Sequence, residues 1–96
     1  MKPIGPVLKK LRLIQKLTLK DVATKMDITT SELSFIEHTA KIKKETIKKV
    51  CKAMDISDML VAFYVIEPKD VAKDKRDIFK DLNPLIKNLI EDTLKK

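Results

Sequence analysis

Few residues of this chain could do chemistry, and most of them are neutral or basic. It holds one His and one Cys, so a metal site would lack partners for either, and its single Gly leaves no glycine-rich loop to cradle a phosphate. Ser34, Glu37 and His38 lie close in sequence, but on one helix they cannot converge as nucleophile, base and orienting group. No catalysis, cofactor or metal is expected. What remains is a set of short polar side chains and one ring, Thr30, Ser31, Ser34 and Phe35, spaced to share one side of a helix. Hydroxyls pair with several base edges and a ring packs on a thymine methyl, so the set suits a DNA groove.

The stretch that must position this set runs from Leu17 to Glu37, LTLKDVATKMDITTSELSFIE. Thr18 is placed as N-cap of a first helix whose apolar residues Leu19, Val22, Ala23 and Met26 follow a 3.6-residue period. Asp27 and Ile28 make a tight corner, and Thr29 caps a second helix in which Leu33 and Ile36 face inward. Two short helices joined in this way are the sequence form of a helix-turn-helix.

From Leu8 to Ser57 the chain resembles the Cro/phage-repressor (Xre-like) helix-turn-helix family. The matching residues are Leu11-Arg12, Leu17-Thr18, Val22-Ala23, Ile28-Thr29, Ser34-Phe35-Ile36-Glu37, Thr46-Ile47 and Ala53-Met54-Asp55-Ile56-Ser57. The resemblance implies an all-α fold: a five-helix lambda-repressor-like domain over residues 1–66, with a C-terminal helical extension over 67–96. It also implies a cytoplasmic transcriptional regulator of double-stranded DNA, more a repressor than an activator, acting as a homodimer on a palindromic operator. Its DNA-facing set maps onto Thr18, Thr29, Thr30, Ser31, Ser34, Phe35, His38, Lys41, Lys43 and Lys44, and its structural ion pair onto Arg12 and Glu37. Three positions depart from the pattern. Leu19 stands where the family has a phosphate-binding Gln, Asp27 replaces the corner Gly, and Thr39 replaces a Gly after the third helix. Asp tolerates a left-handed backbone, whereas β-branched Thr resists it, so the loop at Thr39 is expected to take another path. With Leu19 and Phe35 expected at the surface, a second reading is a protein-interaction module, an antitoxin or anti-repressor subunit with a protein partner.

Charge favours the DNA reading. Residues 1–66 carry 13 Lys and Arg against 7 Asp and Glu, a net of +6, while residues 67–96 carry 8 against 7, a net of +1. The basic excess accompanies the motif, and the loop HTAKIKKE over 38–45 is dense in Lys. Cys51 sits on the apolar stripe Ile47, Val50, Cys51, Met54 and reads as a reduced core residue. MKPIGPVLKK is no secretory leader, and the longest apolar run, Met59 to Ile66, is too short to span a bilayer, so no membrane partner is expected.

That run, MLVAFYVI, is apolar on every side. Ser57 caps it, its start reads as helix, and Phe63 to Ile66 fit helix or strand. Because it needs cover on all sides, it is expected to meet a partner surface through Leu60, Phe63 and Tyr64. Asn83-Pro84 signals the start of a last helix, PLIKNLIEDTLKK. Ile78, Leu82, Leu85 and Leu89, with Ile86, Ile90 and Leu94 nearby, form an apolar stripe, and Leu85 and Leu89 join the expected dimer interface. The pattern fits packing on its own domain and an intermolecular bundle equally.

Overall fold

Hydroxyl residues start three helices of this protein, and left-handed residues end three. The computed structural model describes residues 1–95, in which regular structure is α1 (Ile4–Ile14), α2 (Leu19–Met26), α3 (Thr30–Glu37), α4 (Lys44–Ala53), α5 (Met59–Val65) and α6 (Arg76–Leu94), with 3₁₀ turns at Pro68–Asp70 and Lys73–Lys75. Thr18 and Thr29 close capping boxes with Asp21 and Glu32, and the Ser57 hydroxyl accepts the Met59 N–H at 3.2 Å. Each cap satisfies amides that the first turn leaves unbonded.

The helix ends repeat one device. Lys16, Asp27 and Asp55 have φ of 60°, 57° and 57°. In each case the next residue is an apolar plug whose N–H reaches back five residues: Leu17 to Arg12 at 3.2 Å, Ile28 to Ala23 at 3.0 Å and Ile56 to Cys51 at 3.0 Å. This is the Schellman closure, achieved here without glycine. The Met26-Asp27-Ile28-Thr29 and Met54-Asp55-Ile56-Ser57 segments are therefore the same junction twice. Gln15-Lys16-Leu17-Thr18 is a third.

The plugs and helix faces converge on one core of Leu8, Leu11, Val22, Leu33, Val50, Cys51 and Tyr64, all almost fully buried. α2 packs on α3 and α4, and α1 on α3 and α5. Leu19 also turns toward this core and is half-buried rather than at the surface.

Two expectations for the C-terminal third are corrected. α5 stays helical to Val65, its cover supplied from within the chain by α6. Tyr64, expected at a dimer interface, is 2% exposed, and its hydroxyl donates to the Lys87 carbonyl of α6. No second chain is needed to bury it. The last helix does not begin at Asn83-Pro84 either; α6 runs through Pro84 without a break. Proline removes one N–H and frees the carbonyl four residues earlier, here on the exposed residue Lys80, where water can satisfy it. α6 docks through Ile86, Ile90 and Leu94, and Ile90 is its one buried residue.

Candidate nucleic-acid interface

The outward face of α3 is set by what holds its inward face. Gly5 in α1 lies against the end of α3 so closely that an added Cβ would sit 2.5 Å from the Ile36 and Thr39 carbonyl oxygens. Only glycine fits there. The contact is also bonded, since the Ile4 and Gly5 N–H groups donate to the Ala40 and Thr39 carbonyls, both at 2.9 Å. Loop carbonyls thus serve as the cap of α1. Nothing around Gly5 in the sequence marks this role, because the partner backbone lies more than thirty residues away.

Two turns of α1 further on, Arg12 makes the second tie. Its Nε–H donates to Glu37 Oε2 at 2.8 Å, Nη2 to Glu37 Oε1 at 3.1 Å, and Nη1 to the Leu17 carbonyl at 2.8 Å. Arg12 and Glu37 are 5% and 3% exposed. A bidentate pair in which each of the three guanidinium nitrogens is bonded satisfies the condition under which buried charges are tolerated. The guanidinium joins α1, α3 and the corner before α2, the three pieces whose relative position aims the reading helix.

Thr30, Ser31 and Phe35 are exposed on α3, Phe35 at 74%, while Ser34 is half-buried. Ser31 and Phe35 border one shallow depression with Glu32 and Ile36. Thr29 is more occupied than the sequence indicates: its hydroxyl accepts the Glu32 N–H at 3.1 Å and donates to Glu32 Oε1 at 3.1 Å. The capping box leaves the Thr30 and Ser31 amides as the free donors of this N-terminus. At α2 the Thr18 N–H donates to Asp21 Oδ2 at 2.8 Å. That main-chain bond, and then the one from the Thr18 hydroxyl, holds the Asp21 carboxyl below the usual carboxylate range. A fixed negative charge therefore stands at the α2 N-terminus.

The basic residues fall into two places. Lys41 and Lys43 are exposed in the loop after α3, whereas Lys44 opens the first turn of α4 rather than ending the loop. Lys41 borders a separate depression with Pro3, Ile4, Ala40 and Ile42. Among the described residues none of the three lies within ion-pair distance of a carboxylate. The loop keeps Thr39 out of the left-handed region: its hydroxyl donates to the Phe35 carbonyl at 2.8 Å and its N–H to Ile36 at 3.1 Å. His38 is exposed, and its Nδ1 donates to the Ser34 carbonyl at 2.7 Å, leaving Nε2 outward.

Nucleophilic chemistry has little purchase. Cys51 is 1% exposed, and burial, then the Asp58 charge, pushes its thiol up to about 11. Among the described residues no group of three His, Cys, Asp or Glu side chains could hold a metal, and no helix is long and apolar enough to cross a membrane.

A helix-turn-helix family model of the Xre/lambda-repressor-like type matches residues 8–58, the segment from α1 to the start of α5. No curated protein and no solved structure matches the chain. A family match over more than half of the chain, on a helical body whose α2 and α3 form the motif, places this protein in the Xre/lambda-repressor-like helix-turn-helix family of DNA-binding regulators.

Proposed function

We propose that this protein is a transcriptional repressor that binds, as a homodimer, a palindromic or pseudo-palindromic operator with half-sites about one helical turn apart. The observation that carries the reading is the contrast on α3: its inner side is fixed by Gly5 and the Arg12–Glu37 pair, and its outer side presents Thr30, Ser31 and Phe35 unpaired to solvent. Such a set reads bases weakly. It lacks the Asn, Gln and Arg that make paired bonds to A and G, so preference leans toward thymine methyls met by Phe35 and toward DNA shape. Affinity then rests on phosphate contacts by Lys41, Lys43, Lys44 and the exposed His38, and on two heads acting together. Thr18 and Thr29 contribute by holding the helix ends in place.

Fluorescence anisotropy against the duplex upstream of its own gene and a random duplex, at ~50 and ~200 mM salt, tests this. The expected result is preference for the upstream duplex and a loss of at least about tenfold across that salt range. Phe35→Ala should erase much of the preference while leaving random-duplex binding nearly unchanged. No binding at the lower salt would overturn the reading. The exposed Phe35 ring would then point to a protein partner, as in an antitoxin or anti-repressor subunit.

A further inference from the structure

α6 has one broad apolar arc, and only one edge of it is covered. Ile86, Ile90 and Leu94 pack on the core, while Ile78, Leu82, Leu85 and Leu89 are 61%, 49%, 65% and 67% exposed. The exposed four are spaced 4, 3 and 4 residues apart, the seam of a two-helix coiled coil. Extending the same spacing by one step each way reaches Lys75, the N-cap residue just before α6, and Asp92 near its end, both exposed. The six positions therefore read Lys, Ile, Leu, Leu, Leu, Asp.

This order distinguishes the possible occupants. In a parallel pair of α6 helices Lys75 would face Lys75 and Asp92 would face Asp92, two like-charge contacts. In an antiparallel pair, centred between Asn83 and Pro84, Leu82 meets Leu85 of the other copy, Ile78 meets Leu89, and Lys75 meets Asp92 at both ends. The seam is thus complementary to itself in one orientation only, as a two-fold interface requires. The apolar surface is on the order of 450 Å² per chain, or ~900 Å² in a pair before the rims are counted, close to the ~1,000 Å² at which specific interfaces begin.

We propose that the occupant of this face is the α6 of a second copy, packed antiparallel with Lys75 opposite Asp92. The inference rests on the homodimer reading above and gives it a surface, an orientation and a register. It also gives residues 67–96 their role as the dimerisation extension, with α5 serving chiefly as the seat on which α6 is carried.

Sedimentation equilibrium of the full chain at low salt, with Lys75→Glu, Asp92→Lys and the double variant, tests it. These surface positions leave the folded chain intact, which circular dichroism checks. Each single reversal turns two attractions into two repulsions and should weaken the dimer about tenfold, and the double variant should restore it. A dimer indifferent to both single changes would overturn the antiparallel α6 seam while leaving a dimer by another surface. A wild-type chain that stays monomeric at ~100 μM would overturn both the seam and the dimer reading. A disulfide check fixes orientation: Lys75→Cys with Asp92→Cys on one chain should oxidise to a covalent dimer, and Lys75→Cys alone should not. A Lys75→Cys variant that oxidises to a covalent dimer by itself means a parallel pair, in which the double variant crosslinks too, and rejects the proposal.

Discussion

Helices α1 to α4 and helix α6 solve the problem of burying a helix in opposite ways. In the first region the helices are fixed by several independent devices shared among them: side-chain caps on α2 and α3, left-handed closures with apolar plugs after α1, α2 and α4, and a glycine contact and a buried ion pair between α1 and α3. The polar groups lie inside where they are bonded, and short polar side chains lie outside. α6 has no side-chain cap, carries a proline in its middle, buries one residue of nineteen and shows four large apolar residues to solvent. α3 is held from its inner side by bonded contacts within the chain, whereas α6 keeps four large apolar side chains that nothing in the chain covers. Chain dimensions agree: the radius of gyration is 14.0 Å, above the ~12.5 Å expected of a compact chain of this length.

The contrast breaks first at Arg12. Arg12→Met leaves Glu37 charged and buried without a partner and the Leu17 carbonyl unbonded, and should cost ~3–5 kcal/mol. In a domain of this size that lowers the melting temperature by roughly 15–30 °C, read by thermal circular dichroism. The double change Arg12→Met with Glu37→Met should recover most of the loss, because no lone charge remains. A single variant that melts like the wild type would show that the pair does not hold α3 to α1.

Gly5→Ala should have the next largest effect, ~1–3 kcal/mol, since the added methyl meets backbone oxygens that cannot rotate away. Moving α1 off α3 also shifts the Arg12–Glu37 pair, so DNA affinity should fall more than stability alone accounts for. Urea denaturation and anisotropy on the same preparation separate the two. A variant as stable as the wild type would mean that the two helices can part without loss.

The motif was legible in the sequence because its signals are local. Thr18 with Asp21 and Thr29 with Glu32 are three apart, and Asp27 and Asp55 announce their corners by chemistry. The third corner was hidden, since Lys16 has no particular liking for positive φ and adopts it only because Leu17 must reach the core. Gly5 was hidden for a different reason: its partner is distant backbone, which has no residue identity to read. In α6 the apolar arc is broad, spanning both the Leu85 and Ile86 sides of the helix. Periodicity locates such an arc but not which edge faces home, and the packing of Tyr64 on the Lys87 carbonyl decides it. Asn83-Pro84 misled because a cap signal states what a helix start tolerates, and the same residues can sit inside a helix that is anchored on both sides.

The smallest effect concerns the seam where the two regions meet. Lys10 and Lys87 lie over the two-sided ring of Tyr64, their Nζ atoms 5.3 and 5.6 Å from its centre, and Lys2 is close to Lys87. Hydrogen bonding with Lys2, then burial, then repulsion from Lys2 and Lys10 pulls the Lys87 amine down from 10.5 to about 8, with Glu67 opposing. Between those values the unfolded chain binds more protons than the folded one, so stability rises with pH. Burial acts on the acids in the other sense, raising Cys51 from 9.0 to about 11 and Tyr64 from 10.0 to about 12. There the unfolded chain loses its proton first, and stability falls with pH above about 9. The urea midpoint should therefore climb modestly from about pH 7.5 to about 9 and then decline, the rise being small because the Lys87 side chain is partly screened by water. Lys87→Met should remove the rise, keep the decline and leave the protein slightly more stable at neutral pH. A rise that survives in the variant would place its origin elsewhere and would mean that the crowded amines exert no strain on the contact between α6 and the body.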